Sequence, residues 1–262
     1  MEGLRHAVIN ADDEFSSQVR AVIDAGVQIL TYSASGAVAD VWVEKTEFHP
    51  GGVRGELHSP WGTAPFSSPL PGDVNLANLA AAVSALALAG EDLLAILEAV
   101  SNLRPVPGRM QAIPNTLGLQ VIVDYAHTPD ALEQVLLALK PHVSGALVSV
   151  FGCGGDRDRE KRQVMGRVAC GLCDRVVITS DNPRSESPLA IMRDIEAGCS
   201  GDYALVEDRA AAIAQALTEA RAGDCVVIAG KGHEDYQIVE GERLHFSDEA
   251  QARDVLSRGG AL

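Results

Sequence analysis

Four short runs concentrate the residue types that do chemistry. Asp124-Tyr125-Ala126-His127-Thr128-Pro129, Gly152-Cys153-Gly154-Gly155-Asp156-Arg157-Asp158, Ser180-Asp181-Asn182-Pro183-Arg184-Ser185-Glu186 and Gly230-Lys231-Gly232-His233-Glu234-Asp235 each follow directly on an apolar, β-branched stretch. The third is the most informative. It gathers carboxylate acceptors, an amide and a guanidinium, and Pro183 stiffens the turn and biases Asn182 towards extended backbone. Such a turn suits a small zwitterion carrying both carboxylate and ammonium. Alone, it reads equally well as a surface turn, because Asp, Asn and Pro are ordinary turn residues. Arg157 and Arg184 each have the fork that holds a carboxylate through two parallel bonds, a geometry lysine cannot reproduce. Glu234, Asp181 and the Asn182 carbonyl are expected to take ammonium groups, and the neighbouring glycines let backbone approach a ligand. The competing readings are a salt bridge from Arg157 to Asp158 or Glu160, and a pair between Glu234 and Lys231. Four such clusters together favour a ligand site.

The elements that must position these runs are legible in the hydrophobic pattern. From about residue 119, strands at 119–123, 146–151, 175–179, 203–206 and 225–229 alternate with helices at 129–139, 159–170, 188–198 and 209–221. The strands are continuous apolar runs, which is what burial on both faces of a parallel sheet produces, so the expected fold is a Rossmann-like α/β domain. In such a sheet ligands sit beyond the carboxyl ends of the strands, and all four runs lie there. The tail predicts a hairpin, 237–240 with 243–246 around Gly241-Glu242, and a helix at 248–256 capped by Ser247. The first hundred residues read differently: a strand at 6–10, a helix at 16–25, and a string of short strands over 27–68 with turns at Gly51-Gly52 and Trp61-Gly62. Helices follow at 74–88 and 92–103. Arg104-Pro105-Val106-Pro107-Gly108 forbids a continued helix and predicts a boundary between domains 1–106 and 107–262.

Composition excludes several classes. The 262 residues, 47% of them hydrophobic, suffice for one large or two ordinary globular domains. With 36 acidic against 21 basic residues the net charge is −15, which argues against nucleic-acid or anionic-membrane partners. The densest basic stretch, Arg157, Arg159, Lys161, Arg162 and Arg167, is interleaved with acids and reads as a solvated, self-paired helix start. No apolar run is long enough to span a membrane and no signal-peptide core opens the chain, so a cytosolic protein, expected to be monomeric, is implied. The five cysteines form no disulfide framework, and Cys170 and Cys173 have no second pair at zinc spacing. No metal ligands are expected in this chain.

The strings DYAHTPDALE, FGCGGDRDREKR, SDNPRSE and AGKGHEDYQ, in that order, resemble the C-terminal half of the Mur ligases, and AVINADDE, NLANLAAAVSALALAG and PVPGRMQ resemble the same family's central domain. The likeness spans essentially the whole chain. It implies an ATP-dependent, amide-forming ligase of peptidoglycan synthesis, and the Asp-Asn-Pro-Arg motif implies the branch that adds meso-diaminopimelate to UDP-MurNAc-L-Ala-D-Glu. By the resemblance, Arg157, Asp181, Asn182, Pro183, Arg184, Gly230 and Glu234 bind diaminopimelate. Asn78, Arg109 and Asp124 match positions that contact the adenine, phosphates and ribose of ATP. Diaminopimelate is lysine with a second carboxylate, so Arg184 is the natural discriminator. Losing a charge-assisted bond costs roughly 1.5 to 3 kcal/mol, and such sites reject the lesser analogue by factors on the order of 10⁴. From the residues alone, Asn78 also reads as a polar position on an Ala-rich helix, Asp124 as a cap for the helix at Pro129, and His127 as a satisfied turn residue.

In the family, ATP phosphorylates the D-glutamyl carboxylate and the incoming amine attacks the acyl phosphate. That requires a phosphate cradle, yet GxxxxGK[ST] does not occur, and Gly230-Lys231-Gly232 has no hydroxyl residue after its lysine. The resemblance places the Mg2+ ligands, a modified lysine and the UDP-binding domain upstream of the strand at 6–10. The expectation is therefore a partial chain that keeps the amino-acid site and does not complete the ligation alone, with residues before about 105 the less stable part because their sheet keeps an open edge. The alternatives are a non-catalytic diaminopimelate-binding module and one half of a split ligase.

Overall fold

The computed structural model describes residues 3–49, 52–70, 72–104 and 106–259. The chain divides into two compact units, residues 1–104 and 105–262. The expected Gly51-Gly52 turn and the break at 104–108 include Gly51 and Pro105, which lie outside the described residues.

The first unit carries β1 (His6–Asn10), α1 (Ser16–Ala21), β2 (Gln28–Ser33), β3 (Val41–His49), β4 (Gly52–Ser59), β5 (Gly62–Ser68), α2 (Asp73–Leu88) and α3 (Leu93–Ser101). The strands form one sheet in the order β1-β2-β3-β4-β5, with β1, β2 and β3 parallel and β3, β4 and β5 antiparallel. The expected short strands are in fact long: β3 runs nine residues and β4 eight, and a register shift between Glu44 and Glu47 with Lys45 at φ 52° lets them twist without losing pairing. Helix α1 ends four residues before the expected Ala25. None of its residues is buried, so no packing sustains a longer helix. The buried Leu76, Leu79 and Val83 of α2 and Ile96, Leu97 and Val100 of α3 form a core with Val41, Val43, Val53, Leu57 and Phe66 of the sheet. Asp92 caps α3, accepting from Ala95 N at 3.0 Å.

The second unit carries β6 (Gln111–Ala112), β7 (Gln120–Asp124), α4 (Pro129–Leu139), β8 (Leu147–Phe151), α5 (Glu160–Leu172), β9 (Arg175–Ile178), α6 (Pro188–Glu196), β10 (Tyr203–Leu205), α7 (Arg209–Glu219), β11 (Cys225–Ala229), β12 (Tyr236–Val239), β13 (Glu242–His245) and α8 (Asp248–Gly259). Its main sheet runs β10-β9-β8-β11-β7-β6, parallel throughout except for β6. Strand β6 was not legible, since two residues carry no period. The continuous apolar strands divide by alternation. Cys225, Val227 and Ala229 of β11 face a core shared with α4, α5 and α6, whereas Val226 and Ile228 face one shared with α7 and α8. Caps set the helix starts: Thr128 accepts from Ala131 N with Pro129 in the first turn, Asp208 accepts from Ala211 N, and Ser247 accepts from Ala250 N. Asp124 is therefore not the cap of α4. The small hairpin turns one residue earlier than expected, through Glu240 at φ 49° and Gly241 at φ 84°, because two successive left-handed residues match the twist of the flanking strands.

All five cysteines are free. Among the described residues no helix is long and apolar enough to cross a membrane.

Leu136 on α4 is fully buried between helix and sheet. Leu136→Ala is expected to destabilise the second unit by about 2–5 kcal/mol in urea denaturation.

Candidate functional site

Because β7, β8, β9 and β11 run parallel, their carboxyl ends share one edge, and the four runs emerge there together. Between them lies a cleft of about 590 Å³ lined by Arg157, Asp181, Asn182, Arg184, Gly230 and Glu234. Pro183 does not line it and instead fixes the wall behind. Its carbonyl would lie 1.9 Å from a Cβ on Gly155, so only glycine permits the loops after β8 and β9 to touch. There Gly155 N donates to Asn182 O at 2.9 Å. Gly152 is confined likewise, its ideal Cβ falling 2.2 Å from Thr179 O.

Arg184 adopts φ 55°, unusual for a residue with a side chain, and its backbone is bracketed by the hairpin: Arg184 N donates to Ile238 O at 3.0 Å and Glu240 N donates to Arg184 O at 2.8 Å. Its Nη1 donates to Gly155 O at 2.7 Å and more weakly to Asn182 O at 3.4 Å. Nε and Nη2 have no partner among the described residues and form a free side-on fork. Arg157 is exposed at the cleft rim and forms no ion pair among the described residues, so the alternative pairing with Asp158 or Glu160 is not found. Lys161, also at the cleft, donates to His127 O at 2.8 Å. His127 turns its Nδ1 back to Tyr125 O at 2.9 Å, in keeping with a satisfied turn residue.

The opposite wall is acidic. Glu234 accepts from Asn182 Nδ2 at 3.1 Å, while Asp181 is paired with the fully buried Lys231 at 3.0 Å; Lys231 and Glu234 stand 3.9 Å apart. The Asn182 carbonyl does not face the cleft as an ammonium acceptor. Its Oδ1 is taken by Lys231 Nζ at 2.9 Å and Ile238 N at 3.0 Å. The Cys153 thiol in the same cleft is pushed up to about 12 by burial, which keeps it protonated and no nucleophile.

The basic stretch is not self-paired. Arg162 is fully buried and bonds Glu186 through Nη1 and Nη2 at 3.0 and 2.8 Å and Asp194 at 2.9 Å; Arg159 reaches Glu186 at 2.8 Å. The α5 face that carries Arg162 packs inward, so the cation finds its partners in the loop after β9 and on α6 rather than along its own helix. The Arg162 hydrogen bond, followed by that from Asp156 N, holds the Glu186 carboxyl at about 2. A second buried pair, Arg209 with Asp248 at 2.7 and 2.8 Å, sits beneath the edge. Arg209 also donates to Ala229 O and Ser180 O, pinning the ends of β11 and β9. Neither pair was anticipated, though Arg209 in the first turn of α7 opposes the helix dipole, a placement that signals a buried counter-charge.

Of the residues matched to nucleotide, Asp124 is buried at the end of β7, with Oδ2 accepting from Met110 N at 2.7 Å and Oδ1 from Ala126 N at 2.8 Å. Arg109 is exposed and lies over the Tyr125 ring, 4.6 Å from its centroid; that ring also contacts His127 and His233. Asn78 is exposed on α2 of the first unit. Among the described residues no three His, Cys, Asp or Glu side chains gather to hold a metal ion.

Residues 1–86 match the Mur ligase middle domain, and residues 108–232 match the Mur ligase glutamate ligase domain. The chain belongs to the Mur ligase family. Among Mur ligases, it is 54% identical over 255 residues to the UDP-N-acetylmuramoyl-L-alanyl-D-glutamate–2,6-diaminopimelate ligase of Gloeobacter violaceus, covering 96% of this chain and 51% of that protein. It is 42% identical over 254 residues to the Vibrio vulnificus ligase of the same name, covering 96% and 52%. A solved 2,6-diaminopimelate ligase superposes with a TM-score of 0.70 at 42% identity, over 98% of this chain and 54% of that one. A Thermotoga maritima MurF ligase in complex with ADP shares the fold at 18% identity, with a TM-score of 0.68 over 98% and 54%. The chain thus spans about half the length of the Mur ligases it matches.

Glu186 ties the loop after β9 to α5, and its carboxyl lies well below the ordinary value of 4.5. A depressed carboxyl contributes stability that is fully present above pH 4.5 and is lost as the pH falls towards 2. Glu186→Gln is expected to flatten the acid side of the stability profile in that window, as read by denaturation at a series of pH values.

Proposed function

We propose that this chain carries the amino-acid site of an ATP-dependent ligase that adds meso-diaminopimelate to UDP-MurNAc-L-Ala-D-Glu in peptidoglycan synthesis. The observation that carries the reading is the convergence of two guanidinium groups with free donors, Arg157 and Arg184, opposite the Asp181 and Glu234 carboxylates in one cleft. A dicarboxylic diamine satisfies both walls at once. Bidentate pairing of Arg184 through Nε and Nη2 gives the second carboxylate its own recognition group. With L-lysine in its place, those donors would lose the hydration of the cleft without gaining a partner.

The domain roles follow the same reading: residues 1–106 as the C-terminal part of the ATP-binding central domain, and 107–262 as the amino-acid-binding domain. The second unit fits part of a nucleotide site. Asp124 retains acceptor capacity beyond its two backbone bonds, suiting a ribose hydroxyl, and Arg109 offers an exposed cation, suiting phosphate. Asn78 is assigned to adenine by the family match alone. ATP with Mg2+, when bound, would supply the phosphoryl group that activates the substrate carboxyl. No phosphate-loop motif occurs within these 262 residues, so the chain binds the amino acid but does not complete ligation by itself. A cytoplasmic monomer belongs to the same proposal; the free cysteines accord with a reducing compartment.

Isothermal titration of the 262-residue chain should give saturable binding of meso-diaminopimelate and binding of L-lysine weaker by roughly 100-fold or more. Arg184→Lys should weaken meso-diaminopimelate by roughly tenfold or more and leave L-lysine nearly unchanged. Equal affinity for the two amino acids refutes the assignment. Robust ATP-dependent ligation by the purified chain refutes the claim of incompleteness.

A further inference from the structure

Lys231 is fully buried, in the loop after β11, beneath the wall that bears Asp181, Asn182 and Glu234. Its Nζ stands 2.9 Å from Asn182 Oδ1, 2.9 Å from Tyr236 O and 3.0 Å from Asp181 Oδ1. All three neighbours are acceptors. The first two accept hydrogen bonds from the amine and the third faces it as an ion pair, so an ammonium suits the site; a neutral amine would lose the ion pair and set its lone pair among oxygens. Burial lowers the pKa of this amine and the Asp181 carboxylate opposes that, with Arg209, Asp248 and Glu234 the other charged groups nearby.

The consequence lies in the amide it touches. Lys231 Nζ and the Ile238 backbone N–H are obligate donors, and both point at one atom of the Asn182 side chain. That atom must be the oxygen, so the orientation of the amide follows from its partners. Nδ2 is then directed at Glu234 Oε2, 3.1 Å away, and its second N–H has no acceptor among the described residues. Asn182 faces the cleft as a donor.

We infer that Lys231 is a positioning residue that sets the polarity of the amino-acid site, locking Asn182 with its oxygen inward so that its amide N–H is offered to a carboxylate of the ligand. The inference rests on the function proposed above and deepens it. It converts the asparagine of the Asp-Asn-Pro-Arg turn from a partner of the ligand's ammonium into a partner of its carboxylate, and leaves ammonium recognition to Asp181 and Glu234. Lys231 touches no ligand in this arrangement; it acts through Asn182.

A double-mutant cycle on the full 262-residue chain tests this, with meso-diaminopimelate affinity read by calorimetry and folding checked by circular dichroism and urea denaturation. Lys231→Met keeps the length and removes the charge, and Asn182→Ala removes the amide. Each alone is expected to weaken binding by roughly tenfold or more, and adding Lys231→Met to Asn182→Ala is expected to cost less than about threefold further. Full-sized additive losses, or unaltered affinity in a folded Lys231→Met protein, overturn the inference while wild-type binding leaves the functional reading intact. Absence of wild-type binding sinks the functional reading itself. If Lys231→Met does not fold, the wild-type chain labelled with ¹⁵N-asparagine decides: one Asn182 side-chain N–H should shift on adding meso-diaminopimelate, and calorimetric binding without that shift overturns the inference.

Discussion

The cleft depends on one backbone contact, the hydrogen bond from Gly155 to Asn182 where the loops after β8 and β9 meet. Two strand ends brought this close leave no volume for side chains at Gly152 or Gly155, and the apolar parallel sheet below cannot shift to make room. The recognition groups are therefore delivered by backbone that is already close-packed. Arg184 fastens the contact again from above through Gly155 O, and Glu186 and Ser185 fasten it from the flank through Asp156. Preorganisation of this kind limits the ordering that a ligand must impose on the site when it binds.

Beneath the contact lies a layer of buried charge. Lys231 with Asp181, Arg209 with Asp248, and Arg162 with Glu186 and Asp194 each place a cation with no exposed surface against carboxylates. Pairs of this sort are weak arguments for stability, because desolvation offsets much of their attraction. Their geometry suits another purpose, since each cation bonds a residue or carbonyl on a loop of the cleft and fixes where that loop can lie.

The frame of the second unit was legible because period and punctuation agreed. Strands β7, β8, β9 and β11 are apolar runs rich in β-branched residues and closed by Gly, Asp or Thr, and Thr128-Pro129 and Asp208-Arg209 announce their helices. The cleft residues were legible for the same reason, as each follows a strand end. The rest depended on interactions between residues far apart in the chain. Arg162 sits in a charged string whose local pattern reads as a solvated face, and only packing of α5 against the sheet reveals that it points inward. The direction of the Asn182 amide is not local information: it is decided by a lysine 49 residues away and by the hairpin's backbone. Strand β6 gains its identity only from the neighbour it pairs with.

Arg184 joins two demands in one residue. Its left-handed backbone is held by hydrogen bonds to the β12–β13 hairpin, and holding a side-chain-bearing residue in that region costs on the order of 1–2 kcal/mol. The hairpin thereby acts as a brace, keeping the guanidinium aimed at a spot the turn would not choose unaided. Changing which amino acid is accepted is then not a matter of swapping one side chain: a different residue inherits the contorted main chain and its two tethers, so new selectivity calls for a remodelled turn and brace together.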